Sequence, residues 1–376
     1  GFFAERAAAK VDGLQADTPT RKVEQVAVIG AGTMGGGITM AFVNAGIPVR
    51  LLEMNSEALD AGLVRIRASW EGTAKRSGMT AEEIDARMAQ ITPALNYSEI
   101  AEADLVIEAV FEDLAVKQAV FAELGKVMRS GAILASNTST LDVDLIAQAS
   151  GRPADVLGLH FFSPAQIMKL LEVVRGAETA PDVLATAMAL AKRIRKTAVV
   201  SRVCDGFIGN RMLNEYLNAA FRLIEQGVSP YAIDKALESW GMAMGPFRML
   251  DMAGNDVHWA VRKQQARQYA DYRPAVIADR LCEMGRFGQK TGRGWYIHAP
   301  GQRRAEQDPE VNALIEEHCK AEGITPRKVP ADQIVEKLIY ALVNEGALLL
   351  EEGIAQRASD IDVVYLAGYG FPAFRG

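Results

Sequence analysis

The spacing of apolar and polar positions divides the chain near residue 205. Residues 23–30 (VEQVAVIG) are a β-branched run that ends in glycines and leads into helical spacing over 33–45, which predicts strand, tight turn and helix. Further strands are predicted at 49–54, 104–110 and 132–136, separated by helices at 56–77 and 114–128. That alternation predicts a parallel α/β sheet. Strands at 156–160 and 170–174 flank a polar loop with Ser163-Pro164, and a helix over 181–196 leads to a last strand at 198–203.

From Phe207 onward the apolar positions Met212, Leu213, Tyr216, Leu217, Ala220 and Leu223 recur at helical spacing, and a further strand is predicted only near 294–297. A shift of 126 residues sets Asn218 on Asn344, Leu223 on Leu349, Glu225 on Glu351, Gly227 on Gly353 and Val228 on Ile354. After one inserted residue, Ile233-Asp234 meets Ile361-Asp362, and both copies leave through Gly, Pro and Phe-Arg. The echo predicts two related helical units joined by a linker at 299–309.

Charge and composition narrow the class. Lys plus Arg total 41 against 47 Asp plus Glu, a formal charge of −6 with no basic block to follow a nucleic-acid backbone. Apolar residues make up 49%, and 33 Gly with 14 Pro are too few for low complexity. A chain of 376 residues has room for two or three domains and a cofactor-sized cleft. No apolar run is long enough for a membrane span, and GFFAERAAAK at the start lacks a signal-peptide apolar region, so a soluble chain is expected. Cys204, Cys282 and Cys319 are widely spaced and lack histidines at zinc spacing, which reads as reduced structural thiols, an intracellular compartment and no metal. His160, His258, His298 and His318 are the only histidines, so a histidine base has few candidates.

Gly30-Ala31-Gly32-Thr33-Met34-Gly35 fits G-x-G-x-x-G between a predicted strand and a predicted helix. The first glycine permits the turn, the second lets backbone approach a pyrophosphate, the third allows close helix packing, and the helix N-terminus favours phosphate. Glu53 ends the second strand, where a carboxylate accepts hydrogen bonds from a ribose diol and repels a 2′-phosphate. NAD is expected over NADP; Arg50 is the only basic residue nearby.

His160 ends one strand and Glu172 lies inside the next, flanked by Leu and Val on both sides, an expensive place for an unpaired charge. Antiparallel pairing would let the two side chains meet, orient the imidazole and raise its proton affinity. A satisfied core histidine is the alternative. Ser136-Asn137-Thr138-Ser139-Thr140 caps a parallel strand where doubly wound sheets bind ligands, with an N-cap as its other reading. Asn210, within DGFIGNR at the domain junction, is placed to look back into the cleft.

With these residues in hand, the chain resembles the L-3-hydroxyacyl-CoA dehydrogenase family over nearly its whole length, through VAVIGAGTMGGGI, IEAVFEDLAVK, SNTST, GLHFFSPAQIMKLLEVV, DGFIGNRML and KTGRGWY in that order. The doubled helical part and the ending GYGFPAFRG are more similar to the dehydrogenase part of multifunctional β-oxidation enzymes. The first residues look like the linker helix that follows a hydratase domain there, which makes a fragment an expectation. The expected organisation is a linker helix at 1–20, a Rossmann-like NAD-binding α/β domain at 21–204, and an all-α part of two related helical units at 205–300 and 301–376.

The resemblance also implies roles. His160 matches the catalytic base and Glu172 its partner, while Ser139 and Asn210 match residues at the substrate's C3 oxygen. Gly30, Gly32, Thr33, Met34, Gly35, Glu53, Val110, Glu112, Lys117, Ser139, Ser163 and Lys290 fall on the NAD site, and Ser69 and Arg76 fall where the family contacts coenzyme A. Ser163 departs from the Asn common after HFF. The implied reaction is NAD-dependent oxidation of a (3S)-3-hydroxyacyl-CoA to the 3-oxoacyl-CoA in fatty-acid β-oxidation. An acyl-CoA substrate, a hydratase domain, a thiolase subunit and an oligomer are implied as partners, and a cytoplasmic location is expected, with mitochondrial or peroxisomal alternatives. A hydroxyacid dehydrogenase without coenzyme A and a non-catalytic binding domain are the rival readings.

Overall fold

The computed structural model describes residues 2–301 and 304–376. Its main sheet has eight strands: β1 (Val26–Ile29), β2 (Val49–Leu52), β3 (Ile91–Ala94), β4 (Leu105–Glu108), β5 (Ile133–Ser136), β6 (Val156–Phe161), β7 (Leu170–Arg175) and β8 (Thr197–Arg202). They lie in the order β3-β2-β1-β4-β5-β6-β7-β8. The first six are parallel; β7 runs antiparallel to β6, and β8 parallel to β7. The strand order reverses between β1 and β4, so their C-terminal ends flank a ligand crevice of the Rossmann type.

β1, β4 and β5 are buried along their whole length, as expected for a sheet covered on both faces. Val26 and Val28 join one core with Phe42, Ile66 and Trp70. Ala27 and Ile29 join the other with Phe121, Leu124 and Ile146. The period of two along each strand thus feeds two helical layers.

The hydrophobic pattern did not predict two elements between β2 and β4, a helix and the strand that extends the sheet. The helix Ala81–Met88 starts at a capping box in which Thr80 and Glu83 satisfy each other's backbone N–H groups. It leads into β3, an edge strand that tolerates Pro93.

One compact unit runs up to Arg211 and takes in Leu348–Tyr369; the other comprises Met212–Ala347 and Gly370–Gly376. The segment Leu348–Tyr369, expected with the second helical unit, therefore packs with the sheet. Ala355 bridges to Ser201 of β8, and Arg202 donates its backbone N–H to Ile354 at 3.0 Å, covering the sheet edge. Gly368 lies so close to β7 that a Cβ there would meet Leu170 at 2.4 Å.

In the helical unit, Phe221, Phe247 and Trp295 form an aromatic core, with Phe247 and Trp295 centroids 4.6 Å apart. Buried Asp251 accepts from the Trp295 and Tyr296 backbone N–H groups at 2.9 Å each, which anchors KTGRGWY. The short strand Tyr296–Ile297 pairs with Glu306–Gln307, so the segment expected as a linker contributes a strand. No described helix is long and apolar enough to cross a membrane.

Candidate active site

The glycine-rich turn joins β1 to the helix Thr33–Asn44. Gly30 has φ +100°, and a Cβ there would sit 2.7 Å from the Ala109 carbonyl. A Cβ on Gly35 would lie 1.7 Å from the Gly30 carbonyl, so the helix packs onto the turn only with glycine. At Gly32 a Cβ would meet nothing within 4 Å. That open backbone, with exposed Thr33 and half-buried Met34 in the first helical turn, is a cradle of the kind a dinucleotide pyrophosphate occupies. Glu53 follows β2, its carboxylate accepting from the backbone N–H groups of Ala31 at 3.1 Å and Met54 at 2.9 Å. Two of about four lone-pair directions are used, leaving acceptors for a ribose diol. The residues present fit NAD.

At the end of β4 the structure reveals a group that the sequence reading missed. Glu108 is fully buried and accepts from Lys117 Nζ at 2.6 Å, Ser136 Oγ at 2.7 Å and the Val110 backbone N–H at 2.8 Å. Lys117 also faces Glu112 at 3.3 Å and the Val110 carbonyl. Glu112 accepts from Thr138 Oγ1 at 2.6 Å, the Ser139 backbone N–H at 2.7 Å and Ser139 Oγ at 3.1 Å. Burial alone would raise the Glu112 pKa, but the Lys117 charge and these hydrogen bonds together hold it below the ordinary carboxylate value. Buried Lys117 and half-buried Glu112 thus lie in one network behind the SNTST turn. An acidic residue closing an apolar strand run was the available signal for Glu108.

His160 and Glu172 meet across the antiparallel β6/β7 pair. They are direct partners in register, and His160 Nδ1 lies 2.7 Å from Glu172 Oε2. Both are buried. The other carboxylate oxygen accepts from the backbone N–H groups of Ile208 at 3.2 Å and Gly209 at 2.9 Å, where the helix Gly209–Glu225 begins. An ionised carboxylate can only accept, so with Glu172 charged Nδ1 is the donor of this contact, and in a neutral imidazole that tautomer leaves the lone pair on Nε2. Phe162 and Phe207 pack on the imidazole, with centroids 4.3 and 5.7 Å away.

Asn210 Nδ2 lies 3.4 Å from the Ser139 carbonyl, bringing the two expected substrate contacts together. Asn137 Oδ1 accepts from the Phe161 backbone N–H, tying the end of β5 to β6. Ser163 is exposed, before a cis peptide to Pro164. Ser69 and Arg76 lie two turns apart on the helix Ser56–Ser77, half-buried and exposed respectively. Lys290 belongs to the helical unit, where it pairs with Asp256 at 2.5 Å and lines a cavity of about 710 Å³ with Arg248, His298 and Arg304.

Residues 25–204 match the NAD binding domain of 3-hydroxyacyl-CoA dehydrogenase, and residues 206–298 match its C-terminal domain. The (S)-3-hydroxybutyryl-CoA dehydrogenase of Ralstonia eutropha is 30% identical, with a TM-score of 0.70 over 74% of this chain and 100% of that one. The chain belongs to the 3-hydroxyacyl-CoA dehydrogenase family. The 3-hydroxybutyryl-CoA dehydrogenase of Escherichia coli aligns with a TM-score of 0.80 at 28% identity, over 93% of this chain and 90% of that one. The peroxisomal bifunctional enzyme of Danio rerio is 45% identical over 100% of this chain and 54% of its own length. The chain thus spans about half the length of the curated relatives it matches, and it corresponds to their dehydrogenase part. Its cofactor is NAD, and it is an oxidoreductase of the 3-hydroxyacyl-CoA class.

Proposed function

We propose that the chain oxidises (3S)-3-hydroxyacyl-CoA to 3-oxoacyl-CoA in fatty-acid β-oxidation, with His160 as general base and Glu172 as its partner. The observation that carries this reading is the 2.7 Å contact between His160 Nδ1 and a buried carboxylate that is itself held by two backbone N–H groups. Bound NAD supplies the hydride acceptor at its nicotinamide ring. Gly32 and the first turn of the following helix take its pyrophosphate, and Glu53 takes the adenosine ribose.

The C3 hydroxyl is too weak an acid to ionise freely near neutral pH. Neutral His160 accepts that proton at Nε2, and Glu172 stabilises the imidazolium that forms. A general base placed in this way contributes on the order of 10²–10⁴ in rate. Asn210 and Ser139 hold the C3 oxygen, and the packing of Phe162 and Phe207 keeps water from the imidazole. Glu108, Lys117 and Glu112 fix the SNTST turn from behind, while Ser69 and Arg76 offer contacts to coenzyme A.

Relatives carry peroxisomal and glyoxysomal names, which supports the peroxisomal alternative over a cytoplasmic location. Their names are also bifunctional and multifunctional, which supports a further domain on the same polypeptide; that this domain is of hydratase type belongs to the proposal. An oligomer and a thiolase partner belong to the same proposal.

NADH formation from (3S)-hydroxybutyryl-CoA and a long-chain homologue, with NADP⁺ as control, tests the reading. Turnover with NAD⁺ supports reaction, cofactor and substrate class together. NADH binding without turnover of either substrate would sink it for the isolated chain.

A further inference from the structure

The last helix of the sheet-bearing unit, Ala358–Gly368, brings two tyrosines to the residues around the catalytic pair. Tyr369 Oη lies 2.8 Å from Asn210 Oδ1, and Tyr365 donates to the Gly209 carbonyl at 3.1 Å. The two rings stack at 4.8 Å, and Tyr369 meets Phe162 edge-on at 5.5 Å. Gly209 makes the approach possible, because a Cβ there would sit 2.4 Å from the Tyr369 hydroxyl. No cofactor or substrate role accounts for a phenol at this position.

The hydrogen-bond inventory fixes the direction of the chain. A backbone carbonyl only accepts, so the face of Asn210 toward Ser139 must be its NH₂ group. The amide oxygen therefore faces Tyr369, and the phenol is the donor. One proton of Asn210 Nδ2 is spent on Ser139, and the other remains to be given to a substrate oxygen. Without the phenol, the amide oxygen loses its partner and only the long 3.4 Å contact to the Ser139 carbonyl is left to hold the NH₂ group.

We propose that Tyr369 is a positioning residue of the dehydrogenase, setting the amide of Asn210 so that its second N–H is presented to the substrate's C3 oxygen. This rests on the reading of Asn210 as a substrate contact and His160 as base. It gives the final helix a catalytic purpose: a segment more than 150 residues from Asn210 in sequence decides how that amide points.

The test is a double-mutant cycle read under single-turnover conditions with enzyme in excess, which keeps slow variants measurable. Tyr369→Phe retains the ring packing and removes only the hydroxyl. The hydride-transfer rate is expected to fall about five- to tenfold, with the Kd for NAD within about twofold of the parent and melting behaviour unchanged. In an Asn210→Ala background, Tyr369→Phe is expected to cost nothing further, because it acts through that amide. A rate within about twofold of the parent overturns the proposal, as does an equal loss in both backgrounds, which would mark a docking role for the helix. His160→Gln is run alongside: near-normal turnover there overturns the base assignment, whereas an inactive His160→Gln with an unaffected Tyr369→Phe overturns only the role of Tyr369.

Discussion

Glu172 holds His160 with one oxygen and the start of the helix Gly209–Glu225 with the other, so a single buried carboxylate joins the imidazole to the residue before Asn210. The arrangement follows from strand register. His160 and Glu172 are opposite partners on antiparallel strands, and the only charge inside an apolar run of β7 finds its counterpart there.

His160→Gln and Glu172→Gln are each expected to lower turnover by at least about tenfold with the fold intact, since on the proposed mechanism the first removes the base and the second the charge that stabilises its protonated form. Glutamine at 172 still offers an oxygen to the Ile208 and Gly209 N–H groups. Steady-state rates with melting curves for both variants check this; near-normal turnover in either one would overturn the assignment.

The β1 turn and the His-Glu pair were legible because both are written in local pattern: glycines between a strand and a helix, and a carboxylate where apolar residues surround it. The same second signal was present at Glu108, but its partners are spread over a loop, a helix and a strand, at Val110, Lys117 and Ser136, and strand periodicity carries no trace of them. β3 was hidden by Pro93 in a run of only four residues, although the Thr80 to Glu83 capping box announces the helix before it. The placement of Leu348–Tyr369 depends on the free edge of β8, a tertiary fact that the internal echo with the first helical unit could not supply.

Lys117→Met should cost stability more than activity data alone would suggest. It leaves the fully buried Glu108 carboxylate without its ammonium partner, and removal of one member of a buried pair costs about 3–5 kcal/mol. Glu108→Gln added to Lys117→Met removes the stranded charge and is expected to recover part of the loss. Urea unfolding of both variants decides it: equal midpoints for parent and Lys117→Met would show that the pair contributes nothing.

Replacing Glu53 with Ser is expected to narrow the preference for NAD⁺ over NADP⁺ by at least about tenfold, because on the proposed reading its carboxylate sits at the ribose and would repel a 2′-phosphate. The Ala31 and Met54 N–H groups that Glu53 accepts can turn to water or the new hydroxyl, so the loop should persist. The ratio of kcat/KM for the two cofactors is the readout, and an unchanged ratio would place the selectivity elsewhere.

Glu112 gives the fold an acid-sensitive component. Burial opposes its charge, but Lys117, Thr138 and Ser139 together hold its pKa below the ordinary value of 4.5. Between the folded and unfolded pKa values the unfolded chain binds more protons, so stability rises with pH there. The contribution is complete above pH 4.5 and disappears as pH falls through the lower, folded value. Glu112→Gln should therefore flatten the acid limb of a melting-temperature profile in this window while lowering stability at neutral pH, where the Lys117 charge loses one of its two carboxylates. Parallel profiles for parent and variant below pH 4.5 would mean that Glu112 titrates alike in the folded and unfolded chain.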